Sequence, residues 1–269
     1  MSTLRDKIVF VTGSTRGIGR QIALKAAQDG AKLVIAGKTV EKHDRLPGTV
    51  HSVAEEVVLA GGEALPIALD VRDESQIAAA VEKAAAHFGG IDVLVNNASA
   101  ISLTGTLQTP AKKLDLMFDV NARATFLMSQ ACIPHLKSAA NPHILTLSPP
   151  LNMDAKWFGP HLAYTMSKYG MSMCTLGLAQ EFSQISVNSL WPRTTIATAA
   201  IEYNFGSKML RASRHPAIVA DAAWRILTST GCSGNFYIDE EVLRSAGIDD
   251  FGPYAIEAGA PLCDDLFLV

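Results

Sequence analysis

Seven short apolar runs, separated by longer stretches of helical pattern, constrain the fold of this chain more than any other feature of its sequence. The runs are rich in β-branched residues and apolar almost throughout. A strand with one solvated face alternates between apolar and polar residues, whereas a strand of a parallel sheet covered on both faces does not. The runs therefore predict parallel strands at residues 7–12, 32–36, 65–69, 91–96, 143–148, 185–191 and 235–239.

The stretches between the runs predict helices. Residues 17–29 carry one apolar stripe, residues 73–90 begin with capping residues and end at glycine, and residues 109–120 begin with Thr-Pro. Pro134 interrupts or ends the last of these helices. Because strand and helix alternate about six times, we predict an α/β chain with a Rossmann-type doubly wound parallel sheet. It has about seven strands with helices on both faces, in a single domain over residues 1–269.

Two segments show neither pattern and are predicted to be irregular. Residues 38–50 follow the second run, and residues 192–215 follow the sixth run, ahead of a helix predicted at 217–229. Both segments lie after strands, at the edge of the predicted sheet where doubly wound folds bind their ligands.

Composition argues against several classes of partner. The 269 residues are 48% hydrophobic, and the net charge of −3 gives no electrostatic reason to expect nucleic acid or an anionic membrane. The sequence has neither a run of roughly 18 apolar residues nor a signal peptide or peroxisomal motif, so a cytoplasmic protein without membrane insertion is expected. Widely separated cysteines predict reduced thiols and no metal site: Cys132, Cys174, Cys232 and Cys263.

A glycine-rich turn, TGSTRGIG, follows the first predicted strand and opens the first predicted helix. Gly13, Gly17 and Gly19 have the spacing G-x-x-x-G-x-G. Glycine lets the backbone approach a pyrophosphate, and the helix N-terminus supplies amide groups and positive partial charge. Such a turn can also be tight without any ligand, but its place between a core strand and an Ala-rich helix favours dinucleotide binding.

With this spacing the sequence resembles the short-chain dehydrogenase/reductase family, whose usual form is T-G-x-x-x-G-I-G. Further motifs of that family follow in order along nearly the whole chain. Ser99 replaces the glycine of the usual N-N-A-G. The matching residues are Asp70, the stretch NNAS at 96–99, Asn121, Tyr164-x-x-x-Lys168 and Gly234…Asp239. The resemblance implies a nicotinamide-dependent oxidoreductase.

One group within the family is resembled more closely, in the stretches 81–110, 144–152, 163–173 and 191–200. Members of that group can carry a C-terminal sterol-carrier domain, and we expect none within residues 1–269.

The resemblance also assigns cofactor contacts. Asp70 would contact the adenine, Lys168 the nicotinamide ribose, and the element at 192–198 would flank the nicotinamide, although Arg193 replaces its usual glycine. The cofactor-binding residues expected are Gly13, Ser14, Thr15, Arg16, Gly17, Ile18, Gly19, Lys38, Asp70, Val71, Asn97, Ala98, Lys168, Pro192, Ile196 and Thr198.

The segment after the second strand favours NADP(H) over NAD(H). An enzyme that selects NAD usually has an acid there to accept hydrogen bonds from the ribose. Here Gly37 takes that place and Lys38 follows it. A carboxylate would repel a 2′-phosphate, whereas Lys38 and Arg16 would attract it. Both cations could instead be ordinary solvated surface charges.

Tyr164 and Lys168 are four residues apart and would share one face of a helix. A nearby positive charge lowers the pKa of a phenol, so we expect Lys168 to lower that of Tyr164. Tyr164 could then give a proton to a carbonyl or take one from an alcohol. The resemblance implies that Asn121 supports a proton-relay water. On their own, the two residues would more often be a packed Tyr beside a surface Lys.

The fourth member of the family's catalytic set, a serine, is altered in this chain. Counted back from Tyr164 its position is Leu151, and aligned from the preceding strand it is Pro149. Proline has no side-chain donor. Ser148 is one candidate for the catalytic substitute, and Asn152 and His161 are further candidate donors, each with a structural role as the alternative.

The leading hypothesis is an NADP(H)-dependent oxidoreductase that interconverts a carbonyl and an alcohol. The alternatives are an enoyl-type C=C reductase and an NADP(H)-binding protein with little turnover. We expect a small, apolar substrate and a lid at 192–215. The resemblance implies a homodimer or homotetramer through the helices of Asn121 and Tyr164. The apolar residues expected at the entrance of the substrate site are Trp157, Phe158, Tyr203, Phe205 and Met209. As an alternative, these residues belong to the core or to an interface.

Overall fold

A seven-stranded parallel sheet forms the centre of the molecule. A computed structural model describes residues 3–42 and 47–268. The strands are β1 (Ile8–Thr12), β2 (Lys32–Gly37), β3 (Glu63–Ala68), β4 (Val93–Asn96), β5 (His143–Thr146), β6 (Ser186–Trp191) and β7 (Phe236–Ile238). Their order is β3-β2-β1-β4-β5-β6-β7. The predicted fold class is confirmed, and each predicted strand is present with ends shifted by no more than two residues.

The strand order reverses between β1 and β4, because the chain moves outward through β2 and β3 before it returns to the other side of β1. At such a switch point the two neighbouring crossovers leave the sheet on opposite faces, and a crevice opens at the carboxyl ends of the strands. The glycine-rich turn follows β1, and the predicted motif at 96–99 begins at the last residue of β4. The topology thus places both at one crevice.

Helices cover both faces of the sheet. In the described part of the chain they are α1 (Gly17–Gln28), α2 (Val50–Leu59), α3 (Glu74–Phe88), α4 (Ala111–Met117), α5 (Ala124–Leu136), α6 (Leu162–Glu181), α7 (Ala199–Arg211), α8 (Ala217–Leu227) and α9 (Asp239–Ser245). Alternate residues of β1 face opposite sides: Val9 and Val11 pack in the core with α1, α2 and α8, whereas Phe10 packs with α3 and α5.

Local chemistry explains where the predicted helices begin and end. The Asp73 side chain caps α3 by accepting from the amides of Ser75 and Gln76, and Gly89 ends this helix with a φ of +93°. The helix predicted at 109–120 continues through a π-helical turn, Phe118–Arg123, into α5. Pro134 lies in the last turn of α5, which ends two residues later.

The prediction that 192–215 is irregular is wrong for its second half, because residues 199–211 form α7. Thr198 caps this helix by accepting from the amide of Ile201. Gly206, inside the helix, has non-helical φ and ψ of 75° and −178°. Within the predicted irregular segment 38–50, residues 43–46 lie outside the described residues. No described helix is long and apolar enough to cross a membrane.

Candidate active site

The glycine-rich turn is clamped to the end of β4 by Asn97. Its Nδ2 donates to the carbonyls of Thr12 (2.9 Å) and Gly13 (3.1 Å), and the Thr12 hydroxyl accepts from the amides of Asn97 and Ala98 at 3.0 and 3.1 Å. A Cβ on Gly19 would lie 2.4 Å from Asn97 Nδ2. Only glycine at this position lets the helix, the turn and β4 approach so closely.

The N-terminus of α1 faces this crevice with no side-chain cap. Arg20 donates the first helical hydrogen bond, to the Arg16 carbonyl. The amides of Gly17, Ile18 and Gly19 have no acceptor within the described part of the chain. Amides at a helix N-terminus bind anions such as a pyrophosphate. The turn therefore fits the phosphates of a dinucleotide, as its sequence predicts.

Ser14 and Thr15 pack the turn against β2. The Ser14 amide donates to the Ala36 carbonyl at 3.2 Å, so this amide is already occupied. A Cβ on Gly37 would lie 3.0 Å from Thr15 Cγ2. The close fit explains why the residue that ends β2 is small.

The predicted selectivity residues meet at the ends of β2 and β3. Lys38 Nζ lies 3.0 Å from a carboxylate oxygen of Asp70. Arg72, which was not predicted as a site residue, contacts the same carboxylate at 2.6 Å. It holds the pKa of Asp70 well below its usual range. Arg16 donates to the Thr39 hydroxyl at 2.7 Å. Lys38 and Arg72 therefore both contact the acid predicted to bind adenine, and Arg16 contacts the residue that follows Lys38.

The other predicted cofactor residues lie along the same edge of the sheet. Pro192 and Ile196 are buried just after β6, and Val71 is buried after β3. Thr198 approaches the turn, because a Cβ on Gly17 would lie 3.2 Å from Thr198 Cγ2. The segment after β6 thus meets the glycine-rich turn across the crevice.

Arg193, which replaces the usual glycine after Pro192, is held by two acidic residues. Its guanidinium contacts Glu241 at 2.6 Å, and its amide donates to the carboxylate of Asp239 at 2.8 Å. Asp239 is fully buried, and burial raises its pKa to about 6. The acid predicted from the Gly234…Asp239 motif thus anchors the segment that follows β6.

Tyr164 and Lys168 are buried on α6, with exposures of 5% and 2%. The expectation that Lys168 lowers the pKa of Tyr164 is wrong for this structure. Burial raises the pKa of the Tyr164 phenol, and the neighbouring Asp265 carboxylate raises it further. Lys168 Nζ donates to the Leu147 carbonyl at 2.6 Å and lies 3.2 Å from Met171 Sδ. Burial also lowers the pKa of Lys168 to about 7, which weakens its charge.

Asn121 joins two parts of the site. Its side-chain oxygen accepts from the Ala100 amide at 2.7 Å and from the Ser99 hydroxyl at 3.1 Å. Its Nδ2 donates to the Ala100 carbonyl and the Ser167 hydroxyl, both at 2.9 Å. Ser167 precedes Lys168 on α6, so Asn121 ties the segment after β4 to the helix of the Tyr/Lys pair.

Ser148 lies in a buried chain of hydroxyl groups rather than beside Tyr164. Its Oγ is 2.9 Å from Ser189 Oγ, which is 2.8 Å from Thr175 Oγ1. All three residues have an exposure of 0%. The side chain is therefore committed to the core, and the catalytic role of Ser148 stays a prediction that this geometry does not support. Pro149, beside it, offers only its carbonyl, which accepts from Ser172.

Asn152 is likewise held by its structural contacts. The Tyr169 hydroxyl donates to its carbonyl at 2.5 Å, and its side-chain oxygen accepts from the Asp154 amide.

His161 packs edge-on against Tyr164, with ring centroids 6.2 Å apart. Thr165 donates its one hydroxyl proton to the Trp157 carbonyl, so His161 Nδ1, which is 3.0 Å from that hydroxyl, has to be the donor between them. Burial lowers the pKa of His161, which favours the neutral ring. Its Nε2 is then an acceptor, so this tautomer does not replace the donor that the serine supplies.

Phe267 and Asp265, which lie about 100 positions after Tyr164 in the sequence, were not predicted as site residues. Phe267 is 1% exposed and packs on Tyr164, with ring centroids 6.2 Å apart. Asp265 is half-buried, and burial raises its pKa. No local pattern places a residue about 100 positions away beside Tyr164, so no sequence signal pointed to either one.

A protein-family model supplies the decisive comparison. The model described as short chain dehydrogenase matches residues 7–205, well over half of the chain. The chain belongs to the short-chain dehydrogenase/reductase family. The resemblance drawn from the glycine-rich turn and the later motifs is thereby confirmed. Members of this family are oxidoreductases that bind nicotinamide cofactors, and the crevice described above fits such a group.

Within the short-chain dehydrogenase/reductase family, the chain is similar to proteins named hydroxysteroid dehydrogenase-like protein 2. Those of Danio rerio and Homo sapiens are 58% and 56% identical over 262 residues, 97% of this chain. The match covers 63% of each relative, so the chain spans less than two thirds of their length. The closer resemblance seen in stretches such as 144–152 is confirmed.

Solved structures agree with the family assignment. A Xanthomonas campestris protein superposes with a TM-score of 0.97 at 52% identity, covering 99% of both chains. A short chain dehydrogenase from Mycobacterium thermoresistibile gives 0.94 at 45% identity, covering 99% of this chain and 96% of that one. A metagenomic short-chain oxidoreductase in complex with NADP gives 0.71 at 29% identity, covering 88% and 98%.

Proposed function

We propose that this chain is an NADP(H)-dependent oxidoreductase that interconverts a carbonyl and an alcohol, with Tyr164 as the general acid and base. The observation that carries the proposal is the burial of Tyr164 and Lys168 together on α6, at the carboxyl edge of the sheet that also bears the glycine-rich turn. A buried phenol beside a buried amine is a pair that can hold and release one proton.

The residues around the crevice fit a dinucleotide. The amides of residues 17–19 would hold the phosphates, Asp70 the adenine, and Lys38 with Arg16 the 2′-phosphate. Lys168 would hold the nicotinamide ribose, flanked by the segment 192–198. When bound, the nicotinamide supplies or accepts the hydride.

The proton is the part of the reaction that this chain's own residues handle. Because burial keeps the pKa of Tyr164 high, its hydroxyl is protonated at neutral pH. This is the form that donates to a carbonyl oxygen as negative charge develops there. Lys168, with a pKa of about 7, can take up and return a proton close to neutral pH. Asn121 holds the backbone at Ala100 against α6 and so keeps the pair in place.

The altered serine position supports two alternative functions. Proline at position 149 cannot donate a hydrogen bond to the substrate oxygen, Ser148 is held in a buried chain of hydroxyl groups, and losing one such donor costs about 3 kcal/mol at the transition state. The two alternatives to a slower carbonyl reductase are an enoyl-type C=C reductase and an NADP(H)-binding protein with little turnover. The test is NADPH oxidation with panels of aldehydes, ketones and enoyl compounds. If the chain binds NADPH but shows no turnover that is lost in Tyr164→Phe, the proposed reductase activity is excluded.

NADP(H) preference is expected to depend on Gly37 and Lys38. Gly37→Asp with Lys38→Ala should weaken NADPH binding by about 10-fold and strengthen NADH binding, because a carboxylate repels the 2′-phosphate and accepts from ribose hydroxyls. Fluorescence titration with both cofactors measures the change. Gly37→Ala is the control, since its Cβ meets Thr15 as that of aspartate would. Equal affinities in the double variant and this control would contradict the assignment.

The substrate is proposed to be a small molecule with an apolar body. The side chains around Tyr164 are largely aromatic. Helix α7, which follows the segment 192–198, is proposed as part of the lid. Of the residues predicted at the entrance of the substrate site, Tyr203 and Phe205 are exposed on this helix, whereas Trp157 and Phe158 pack near Tyr164.

A homodimer or homotetramer is proposed from the outer surfaces of α5 and α6. Exposed apolar side chains on and beside these helices are Phe118, Phe126, Met166, Met173 and Leu176. Met173→Glu should shift the chain toward the monomer, because a charge buried in an apolar interface is costly. Light scattering coupled to size exclusion measures the mass. Leu59→Glu, on α2, is the matched control, and an unchanged mass for Met173→Glu would refute this interface.

A further inference from the structure

The segment Cys263–Phe267 returns to the side of the site where Tyr164 lies. Backbone hydrogen bonds join it to residues 193–195, with N–O distances of 2.9 and 3.0 Å. The indole of Trp191 donates to the Leu266 carbonyl at 2.9 Å. These bonds fix the segment against the end of β6, so its side chains form part of the site rather than a loose end.

Phe267 occupies a cage of aromatic side chains. Its ring is 1% exposed, and its centroid lies between 5.3 and 6.2 Å from five other rings. The Tyr164 ring is tilted only 31° from it and is itself 5% exposed. The other four rings belong to Trp157, His161, Tyr169 and Trp191.

The backbone at Phe267 is strained. Its φ is +73°, in the left-handed region that residues other than glycine rarely adopt. Such conformations persist only where the surrounding structure holds them, and they cluster at ligand clamps and active sites. Here the contacts of the ring with the cage hold the backbone. The strained residue is therefore the one whose ring lies against Tyr164.

A carbonyl substrate has to bring its oxygen within hydrogen-bond reach of the Tyr164 hydroxyl. The groups on either side of that carbonyl then need space next to the Tyr164 ring, where Phe267 packs. We propose that Phe267 determines specificity by filling the apolar subsite beside Tyr164, so that small apolar aldehydes and ketones enter and bulky aryl ketones do not. This inference rests on the proposed carbonyl reduction.

The test compares a small and a bulky carbonyl probe, propanal and 2-acetylnaphthalene, in Phe267→Ala. We expect the ratio of kcat/KM for 2-acetylnaphthalene to kcat/KM for propanal to rise at least about 10-fold, because the missing ring leaves space beside Tyr164. Calorimetric titration of 2-acetylnaphthalene with NADP⁺ present should show at least about 10-fold tighter binding. Phe267→Leu removes part of the ring's volume and should change both quantities in the same direction by about 3-fold, so it covers the case in which alanine prevents folding.

Phe251→Ala is the matched control. Phe251 is another buried phenylalanine late in the chain, and its ring packs against Arg214 and Arg244 instead of Tyr164. Phe251→Ala should lower stability without changing the ratio of the two kcat/KM values or the affinity for 2-acetylnaphthalene. Equal probe affinity in Phe267→Ala and the unaltered chain, or the same gain in Phe251→Ala, would overturn the inference. The binding measurement needs no turnover, so it decides about Phe267 even if Tyr164→Phe shows that the proposed reaction is wrong.

Discussion

Tyr164→Phe is expected to lower kcat for carbonyl reduction by about 10²–10⁴-fold, the usual contribution of a positioned general acid. The substitution removes only the phenolic oxygen. The ring contacts with Phe267 and His161 do not need that oxygen, and no described hydrogen bond involves the Tyr164 hydroxyl. We therefore expect the cage, the fold and NADPH affinity to be retained, with NADPH binding within about 2-fold of the unaltered chain.

The measurements are steady-state NADPH oxidation, fluorescence titration of NADPH and the melting temperature. Tyr169→Phe is the matched control, because it lies on the same helix but gives its hydroxyl to the Asn152 carbonyl. Losing that hydrogen bond should cost about 1 kcal/mol of stability and less than about 10-fold in kcat. If Tyr164→Phe keeps more than half of the activity, the proton donor is another group.

The parts of this molecule that could be predicted from sequence are those governed by short-range patterns. A strand covered on both faces is apolar at nearly every position, as residues 8–11 are, and glycines in the turn before a phosphate-binding helix let the backbone approach the ligand. Tyr164 and Lys168 share a face because four residues make slightly more than one helical turn. In each case the physical cause and the residues that respond to it lie within a few positions of each other.

The altered serine shows where such reasoning ends. Ser148 and Pro149 indicate that the usual donor is missing, but the place of the Ser148 hydroxyl depends on Ser189, which lies on a neighbouring strand. The direction of the pKa shift of Tyr164 was also predicted wrongly from the position of Lys168. The i,i+4 spacing predicts that Lys168 lowers the pKa of Tyr164, whereas the burial of both groups and the approach of Asp265 reverse the direction.

Long-range packing accounts for the rest. Phe267 and the segment before it have no local pattern that predicts an approach to Tyr164, because the cage exists only after α6 and β6 have folded. Helix α7 was predicted as irregular. It has no fully buried residue, and Gly206 inside it departs from helical φ and ψ, so neither core packing nor an uninterrupted helical sequence marks this helix.

Gly19→Ala is expected to weaken NADPH binding at least about 100-fold, or about 2.7 kcal/mol. The new Cβ would lie 2.4 Å from Asn97 Nδ2 and 2.8 Å from the Gly13 carbonyl, both closer than real contacts allow. Either the helix moves away from the crevice or Asn97 leaves the carbonyls of Thr12 and Gly13. Both movements displace the amides that would hold the phosphates. Fluorescence titration of NADPH measures the loss.

Gly177→Ala is the control for the cost of adding a methyl group. Gly177 lies inside α6, and a Cβ there meets no heavy atom within 4 Å. Alanine should leave NADPH binding unchanged and raise stability by about 0.5–1 kcal/mol, because glycine is the poorer helix former. A similar loss of binding in both variants would mean that Gly19→Ala acts through general instability.

The double variant Gly19→Ala with Asn97→Ala separates the two movements. Removing the Asn97 amide takes away the shorter of the two clashes and leaves the one with the Gly13 carbonyl. If displaced Asn97 is what spoils the turn, Asn97→Ala alone should weaken binding, and adding it to Gly19→Ala should cost nothing further. If the two losses add in full, the methyl group acts on the helix instead. The crevice is then shaped by the approach of α1 to the Gly13 carbonyl, and the Asn97 clamp contributes separately.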